Sequence, residues 1–379
     1  MNGRERLLTV LKGELPDRVP VSLFVQEEFL SLLYPDRKTD RVKDAVECAK
    51  YFDFDIMTRS KKFEKPYFMK KSYLNWDLQF STLRVSGKYY EIFEIKTPLK
   101  TLKQVEAGPD IGNRVDGIHL STIEYLIKDE SDLEAFIRYV PPIEQDTVED
   151  VREYCRWSKS VIGDSGISVP WGMGGIYNMA ATYREITELM MDPYDNPEFY
   201  TSYMDKLTEL SIEFDALLAA ENKDAVGIQG NIANSGVIGE NYFKEYIYDY
   251  EKRHADAIKQ AGGFTVYHNC GKAEVLQECY ADMGLSAWET VAEPPRGDNS
   301  LAKAKEKIGH RITLIGNLDQ VDFLKTASEK EVEKKVEQIL SIGKPGGKYI
   351  FACSDFLEVG TPFENVAAAV RTANAFGIY

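Results

Sequence analysis

Histidine and cysteine are scarce in this chain of 379 residues, which has four of the former and five of the latter. A small, odd number of cysteines in a long chain favours reduced thiols in the cytoplasm over a disulfide framework. The chain has no apolar stretch of the roughly 18 residues that a transmembrane helix needs. Its first residues, MNGRERLLTVLKGELPDR, lack the apolar core and cleavage site of a signal peptide and are typical of an amphipathic helix.

Basic residues are also in deficit, with 46 Lys and Arg against 61 Asp and Glu and a net charge of −15. This balance excludes nucleic acid and anionic membranes as main partners, although a protein with a basic patch remains compatible with it. No linker rich in Gly, Ser or Pro and no low-complexity tract divides the chain. We therefore expect one domain spanning residues 1–379, of ordinary soluble composition.

Short strand-like runs recur along the chain, and from the third onward helical patterns separate them. Strands alternating with helices predict parallel βαβ units, and eight of them predict an α/β fold of the (β/α)8 TIM barrel type. The predicted strands are 19–24, 54–58, 166–171, 225–229, 264–268, 286–290, 312–316 and 348–353. The predicted helices between them are 183–192, 196–221, 240–261, 272–283, 299–308 and 328–342.

One segment, 60–160, interrupts this alternation and predicts an insertion between the second and third strands. Its alternating stretches LQFSTLRVSG and KYYEIFEIKT meet at Ser86 and Gly87, which predicts a β-hairpin. Helical patterns follow at 120–137 and 146–160. We expect the insertion to lie over one end of the barrel.

The stretch FTVYHNCGK brings His268 and Cys270 two residues apart at the end of a predicted strand, so both side chains point the same way. Cys353 ends the last predicted strand, and in such barrels the chemistry lies at the C-terminal strand ends. One imidazole and two thiolates suit a catalytic Zn²⁺ with an open fourth position, whereas Mg²⁺ and Ca²⁺ prefer oxygen ligands. The alternative is that these cysteines are buried core residues.

The remaining histidines and cysteines carry no such signal. We expect inert core thiols at Cys48, Cys155 and Cys279, and surface or packing roles for His119, His254 and His310.

Three polar residues near predicted strand ends are candidate catalytic residues. Glu289 is a candidate fourth, displaceable zinc ligand or proton donor, or alternatively a solvated carboxylate. Asn317 is expected to orient a ligand, or alternatively to bond its own backbone in a turn. Asp355 is expected to support the zinc ligands from the second layer of contacts.

Five further residues are candidates for binding the substrate. Gln229 and Asn231 follow the fourth strand. Trp171, Met173 and Tyr177 follow the third and would wall an aromatic pocket, although core packing is the alternative for each of them.

Four stretches together resemble the uroporphyrinogen decarboxylase superfamily, whose fold is a (β/α)8 barrel. They are RERLLTVLKGELPDRVPV near the start, HNCGKAEVLQECYADMG, IGNLD and ACSDFLEVGTPFENV. The decarboxylases of that superfamily carry an Arg-Gln-Ala-Gly-Arg type motif after the first strand, where this chain reads VSLFVQEEFL, and a Gly-His-Gly type sequence in the last strand. The corrinoid-dependent methyltransferases carry His-x-Cys and a later Cys as zinc ligands, which His268, Cys270 and Cys353 match.

The resemblance implies a zinc enzyme that moves a methyl group between a small substrate and the cobalt of a corrinoid. No Asp-x-His-x-x-Gly signature of a corrinoid module is present, so the corrinoid is expected on a partner protein. The 22 Tyr and 18 Phe favour a methoxylated aromatic or other methyl ether as the donor. The alternatives are a methylcorrinoid:thiol methyltransferase of the coenzyme M type, a uroporphyrinogen decarboxylase, and a tetrapyrrole-binding barrel without catalysis.

Overall fold

The structure, a computed structural model, describes residues 1–112 and 120–379, so the prediction for His119 lies outside the described residues. Its strands are β1 Ile56–Thr58, β2 Asp77–Val85, β3 Lys88–Lys96, β4 Thr101–Pro109, β5 Ser121–Glu124, β6 Gly166–Ser168, β7 Ala225–Gln229, β8 Phe264–His268, β9 Ala287–Glu289, β10 Thr313–Leu318 and β11 Tyr349–Cys353. No helix in the two described ranges combines the length and the apolar character needed to cross a membrane.

Fourteen α-helices accompany these strands in the described residues. They are α1 Gly3–Leu11, α2 Glu27–Leu33, α3 Lys43–Phe52, α4 Glu130–Tyr139, α5 Gln145–Ile162, α6 Ile176–Tyr183, α7 Ile186–Asp195, α8 Pro197–Asn222, α9 Glu240–Tyr242, α10 Tyr248–Gln260, α11 Gln277–Asp282, α12 Leu301–Lys307, α13 Glu329–Gly343 and α14 Phe363–Phe376. Short 3₁₀ helices lie at Tyr67–Met69, Gly163–Ser165 and Glu274–Leu276, and π-helical turns at Phe243–Ile247 and Gln320–Leu324.

Parallel strands confirm the predicted α/β class. Five of them form a sheet in the order β11-β10-β9-β8-β7, and β1 pairs with β6. The predicted strand 19–24 is joined to β11 by a single parallel bridge between Val21 and Phe351, and Trp171 makes a similar bridge to Gly227. Helices between successive strands of the five-stranded sheet give the βαβ alternation that the sequence predicts.

Helix α1 marks the end of the molecule opposite the site described below. It packs Leu7, Val10 and Leu11 against the alternate strand residues that face the interior. The hydroxyl of Thr313, the first residue of β10, donates to the Val10 carbonyl at 3.1 Å. The N-terminal strand ends are therefore covered by α1, which leaves the C-terminal ends for chemistry.

The interior-facing residues repeat with the two-residue period of a strand. The apolar members of this set are Met57, Ile167, Val169, Ala225, Val266, Ala287, Ile315, Ile350 and Ala352. Continuing the same period toward the C-terminal ends predicts which polar side chains enter the interior there.

The predicted hairpin is confirmed, since β2 and β3 are antiparallel and turn at Ser86 and Gly87, both with positive φ. Two more antiparallel strands, β4 and β5, extend it to a four-stranded sheet. The helix predicted at 120–137 is wrong in its first part, because residues 121–124 pair with β4 as β5. That helix begins only at Glu130, where Asp129 accepts from the Asp132 N–H as an N-cap.

Candidate metal centre and adjoining cavity

The two-residue period places six side chains at the open end of the strands. They are Arg59, Trp171, Gln229, His268, Glu289 and Asn317. Each lies two or four residues after an apolar residue of its own segment that faces the interior, so its side chain points the same way. In the sheet register, Gln229 is opposite His268 and His268 is opposite Glu289. Three neighbouring strands thus present a polar row at their C-terminal ends.

Three potential metal ligands meet beside this row. The side chains of His268, Cys270 and Asp355 each offer a ligand atom, and these atoms all lie within 4.8 Å of one another. His268 Nε2 lies 3.8 Å from Asp355 Oδ1. His268 is buried, whereas Cys270 and Asp355 are half-buried and face the opening. A nitrogen, a sulfur and an oxygen donor fit a Zn²⁺ site that retains an open position.

Glu289 fixes the orientation of the His268 ring. One carboxylate oxygen lies 3.1 Å from His268 Nδ1, and the other accepts from Arg59 Nη2 at 2.7 Å. With Nδ1 held by a carboxylate, Nε2 is the nitrogen left to bind a metal, as in the carboxylate–histidine pairs of zinc enzymes. Both oxygens therefore have partners.

The charge state of Glu289 follows from the same contacts. Burial raises its pKa, but the Arg59 charge and the hydrogen bond from His268 outweigh burial and bring that pKa down to about 2. The expected role of Glu289 as a proton donor or displaceable ligand is at odds with this geometry, because an ionised carboxylate with two partners has neither a proton nor a free oxygen. Glu289 instead contacts the Nδ1 side of His268, away from the nitrogen that is left to bind a metal.

The imidazole of His268 is strongly basic in the metal-free protein. Burial lowers its pKa, but hydrogen bonds to Cys270 and Glu289 and the Asp355 charge outweigh that effect and raise the pKa to about 10. A bound metal must replace this proton at Nε2.

Cys353 is not brought into this group, although it ends β11 as expected. Because Ile350 and Ala352 face the interior, the two-residue period turns Cys353 toward the surrounding helices. Its thiol is buried, and burial raises its pKa far above the ordinary range. Asp355, two residues later, occupies the third position by the His268 ring. The sequence placed Asp355 only among the supporting contacts.

The other scarce residues lie where they were expected. Cys48, Cys155 and Cys279 are buried in α3, α5 and α11 as free thiols. His254 is buried against Asp215 and His310 is exposed.

A cavity of about 450 Å³ meets the polar row at Gln229. Met173 and Gln229 line it from the strand side, and Gln104, Glu91 and Glu106 line it from the four-stranded sheet. Gln229 lies on β7, one strand from His268, and neighbouring strands are ~4.8 Å apart. One lining residue of the cavity is therefore the neighbour of His268 in the polar row.

Trp171 forms a wall of the centre, whereas Tyr177 does not. The Trp171 ring meets the His268 ring edge to face at 5.7 Å, and the Phe24 ring lies 6.1 Å from His268. The Tyr177 hydroxyl instead faces the Tyr242 hydroxyl at 3.3 Å in the core. Core packing, the alternative considered for Tyr177, is what the structure has.

Two amides at the strand ends have free acceptor atoms among the described residues. Asn317 is buried in β10, and neither its Oδ1 nor that of Asn231 has a hydrogen-bond partner. The Asn317 carbonyl accepts from the Ser354 hydroxyl at 3.1 Å, which ties β10 to the chain after β11. A ligand role for these two residues stays a prediction.

The loop that carries Met173 is held by buried acids from the outer helices. Asp215 accepts from the Met173 N–H at 3.1 Å and from His254 at 2.8 Å. Glu251 accepts from the Tyr177 N–H at 3.1 Å. Sequence reasoning missed both acids, because a carboxylate within a helical pattern looks like a solvated one.

Arg59 and Phe24 are the further site residues that the sequence did not reveal. The arginine motif of the decarboxylases lies after the first strand, and that segment of this chain has no arginine. Arg59 follows β1 directly, and its position after a strand end was the one signal available.

The chain belongs to the uroporphyrinogen decarboxylase (URO-D) family, whose model matches residues 117–376. The resemblance stated from the sequence is thereby confirmed. Relatives come from both branches of the superfamily. The chain is 24% identical over 369 residues to a uroporphyrinogen decarboxylase of Mycobacterium sp. (strain KMS), covering 91% of this chain and 90% of the relative.

The methyltransferase relatives match over shorter stretches. The chain is 22% identical over 150 residues to methylcobamide:CoM methyltransferase MtbA of Methanosarcina acetivorans, covering 40% of this chain and 42% of MtbA. It thus spans less than half the length of that relative. A methyltransferase structure from Methanosarcina mazei superposes with a TM-score of 0.70 at 19% identity and covers 99% of both chains, so the whole fold is shared.

Proposed function

We propose that this protein is a zinc-dependent methyltransferase that moves a methyl group between a small substrate and the cobalt of a corrinoid held by a partner protein. The observation that carries the proposal is the group formed by His268, Cys270 and Asp355 at the open strand ends. Uroporphyrinogen decarboxylation needs no metal, so such a group favours methyl transfer within the family. The methyltransferase relatives add support from outside the structure.

His268 Nε2 and Cys270 Sγ would hold the zinc, with Asp355 as the third ligand. Bound zinc would supply Lewis-acid stabilisation of the oxygen or sulfur that loses or gains the methyl group. The chain's own contribution is positional, because Glu289 fixes the ring of His268 from behind. The Trp171 ring keeps water from the side of that ring.

The adjoining cavity is the proposed site of the small substrate. Its volume of about 450 Å³ lies within the usual range for small-molecule pockets. Met173 and Gln229 line the cavity and would contact the substrate. The unpartnered Oδ1 atoms of Asn231 and Asn317 would accept hydrogen bonds from a substrate that extends past Gln229 to the strand ends. We favour a methoxylated aromatic or other methyl ether, since Met173 offers an apolar contact in the cavity and the Trp171 ring stands beside His268.

The architecture we propose is one closed barrel domain over residues 1–379 with residues 60–160 inserted. The chain after β6 bridges to β7 at Trp171 and Gly227, and the segment 19–24 bridges to β11 at Val21 and Phe351. The Asp55 N–H also donates to the Val21 carbonyl at 2.7 Å, which links the first segment to β1. The inserted sheet contributes one wall of the cavity.

Methyl transfer from a corrinoid to a thiol is the second candidate within the same site. The methylated-thiol–coenzyme M methyltransferase of Methanosarcina mazei, 21% identical over 176 residues, favours it. The two candidates differ in the direction of transfer and in the small substrate, and they share the metal centre.

The test combines metal analysis with methyl transfer. Zinc-loaded protein is mixed with Co(I) cobalamin and a panel of methoxyarenes, and formation of methylcobalamin is followed by its absorbance. Methylcobalamin with thiols tests the other direction, and uroporphyrinogen tests decarboxylation. We expect about one zinc per chain and methyl transfer in one direction.

Two variants control this test. Cys270→Ala should lose zinc and activity together. Cys155→Ala, which removes a buried thiol in α5, should keep both. Decarboxylation of uroporphyrinogen by protein without zinc would overturn the proposal.

A further inference from the structure

We propose that Arg59 binds an anionic oxygen group of the small substrate, so that the substrate of this site is a singly charged anion such as a carboxylate or sulfonate. This inference rests on the proposed function, whose substrate class it specifies. It assigns to Arg59 a role in substrate selection.

The argument starts from the unused donors of Arg59. Its side chain is 1% exposed, and Nη2 donates to Glu289 at 2.7 Å. Nε and Nη1 are buried and have no hydrogen-bond partner among the described residues. An arginine carries five N–H donors, and leaving charged donors buried without acceptors is costly. A ligand that brings an acceptor to these atoms removes that cost.

Arg59 and the candidate ligand His268 share the same surroundings. The guanidinium carbon lies 5.5 Å from the centre of the Trp171 ring and 5.7 Å from that of Phe24. The His268 ring centre lies 5.7 Å and 6.1 Å from the same two rings. Glu289 contacts both residues. An anion on Arg59 would therefore lie near the candidate metal ligands, on the other side of Glu289 and the two rings.

The positively charged side chains in and near the cavity indicate how much negative charge the substrate carries. Lys65, which lines the cavity, lies 3.3 Å from Glu91 and 3.8 Å from Glu106, and Lys61 lies 3.8 Å from Glu64. These lysines are neutralised by the inserted sheet and the loop before it. Among these three cations, Arg59 is the one with buried donors that have no partner in the described residues, which suits one anionic group and is a poor match for a tetracarboxylate.

Arg59→Lys is the informative variant. Lysine keeps a positive charge that can reach Glu289 but loses the planar set of donors. The Glu289 contact with His268 should then survive, and only the anion contact should be lost. Arg59→Gln removes the charge as well, and Arg296→Gln, which breaks an exposed pair with Asp322, serves as the matched surface control.

Binding is measured by calorimetry on the zinc-loaded full chain with paired probes. One pair is 4-methoxybenzoate and neutral 4-methoxybenzamide, and the other is 2-mercaptoethanesulfonate and neutral 2-mercaptoethanol. We expect the wild type to prefer one anion over its neutral partner by about tenfold or more, and the preferred pair identifies carboxylate or sulfonate. Arg59→Lys should lose that preference, with the neutral probe and the surface control unchanged.

Equal affinity for anion and neutral probe in the wild type, or no binding of either anion, overturns the assignment. So does an Arg59→Lys variant that keeps the preference. Because binding is the readout, the two proposals fail separately. If the protein prefers anions but transfers no methyl group, the proposed methyltransferase activity is wrong and the assignment of Arg59 stands. If it transfers a methyl group but shows no anion preference, the assignment of Arg59 is wrong and the proposed activity stands.

Discussion

Replacing Glu289 by glutamine perturbs the candidate metal centre without touching a ligand. Glutamine keeps the shape of Glu289, but its single carbonyl oxygen cannot accept from both His268 and Arg59, which lie 3.1 and 2.7 Å from the carboxylate. One of the two donors must face the amide NH₂ group instead. His268 then loses the acceptor that fixes its ring, or Arg59 loses its charge partner.

The expected effect on zinc affinity follows from the behaviour of such supporting contacts. Loss of the carboxylate behind a ligating histidine weakens metal binding by about 10- to 100-fold, or ~1.4 to 2.7 kcal/mol. Breaking a buried ion pair on one side also costs about 3–5 kcal/mol of folding stability. Since Arg59 and Glu289 are both buried, the variant should be less stable as well as weaker in zinc binding.

Competition with a chromophoric chelator at pH 7 measures the zinc Kd, and urea unfolding of the zinc-free protein measures stability. Glu278→Gln, which removes an exposed partner of Arg311, is the matched control and should change neither quantity noticeably. A folded Glu289→Gln protein with wild-type zinc affinity would refute the claim that Glu289 supports a ligand.

Three further predictions concern other parts of the molecule. If Asp355 is the third ligand, elemental analysis should show a larger loss of zinc in Asp355→Asn than in Cys353→Ala. The opposite order would make the Cys353 thiol the third ligand. Asp129→Ala should cost about 1 kcal/mol of unfolding free energy at pH 7. The pKa of Asp129 is lowered to about 2 by its hydrogen bonds, so this cost should vanish in urea titrations as pH falls from 4 to 2, whereas a pH-independent cost would contradict the cap. Gly172→Ala would push a methyl group into the Asp215 carboxylate and should destabilise the fold by ~1–3 kcal/mol, with an unchanged thermal midpoint as the contrary result.

Strands and helices were predicted correctly where the local sequence pattern alone specifies them. The runs 225–229 and 264–268 are strands with the same bounds in the structure, because their flanking Gly and Asp residues and apolar character mark them without help from distant contacts. The segment 121–124 failed for the opposite reason. Its strand form depends on pairing with β4, which a single-segment pattern does not contain.

The sequence by itself determined that His268 and Cys270 end a strand and point together, because the two-residue period is a property of the chain. Only the tertiary structure decided what stands around them. Arg59 meets Glu289 across 230 residues of chain, and Asp355 rather than Cys353 approaches His268. Those contacts depend on strand register and on the path of the chain after β11, and both are set by packing between distant segments.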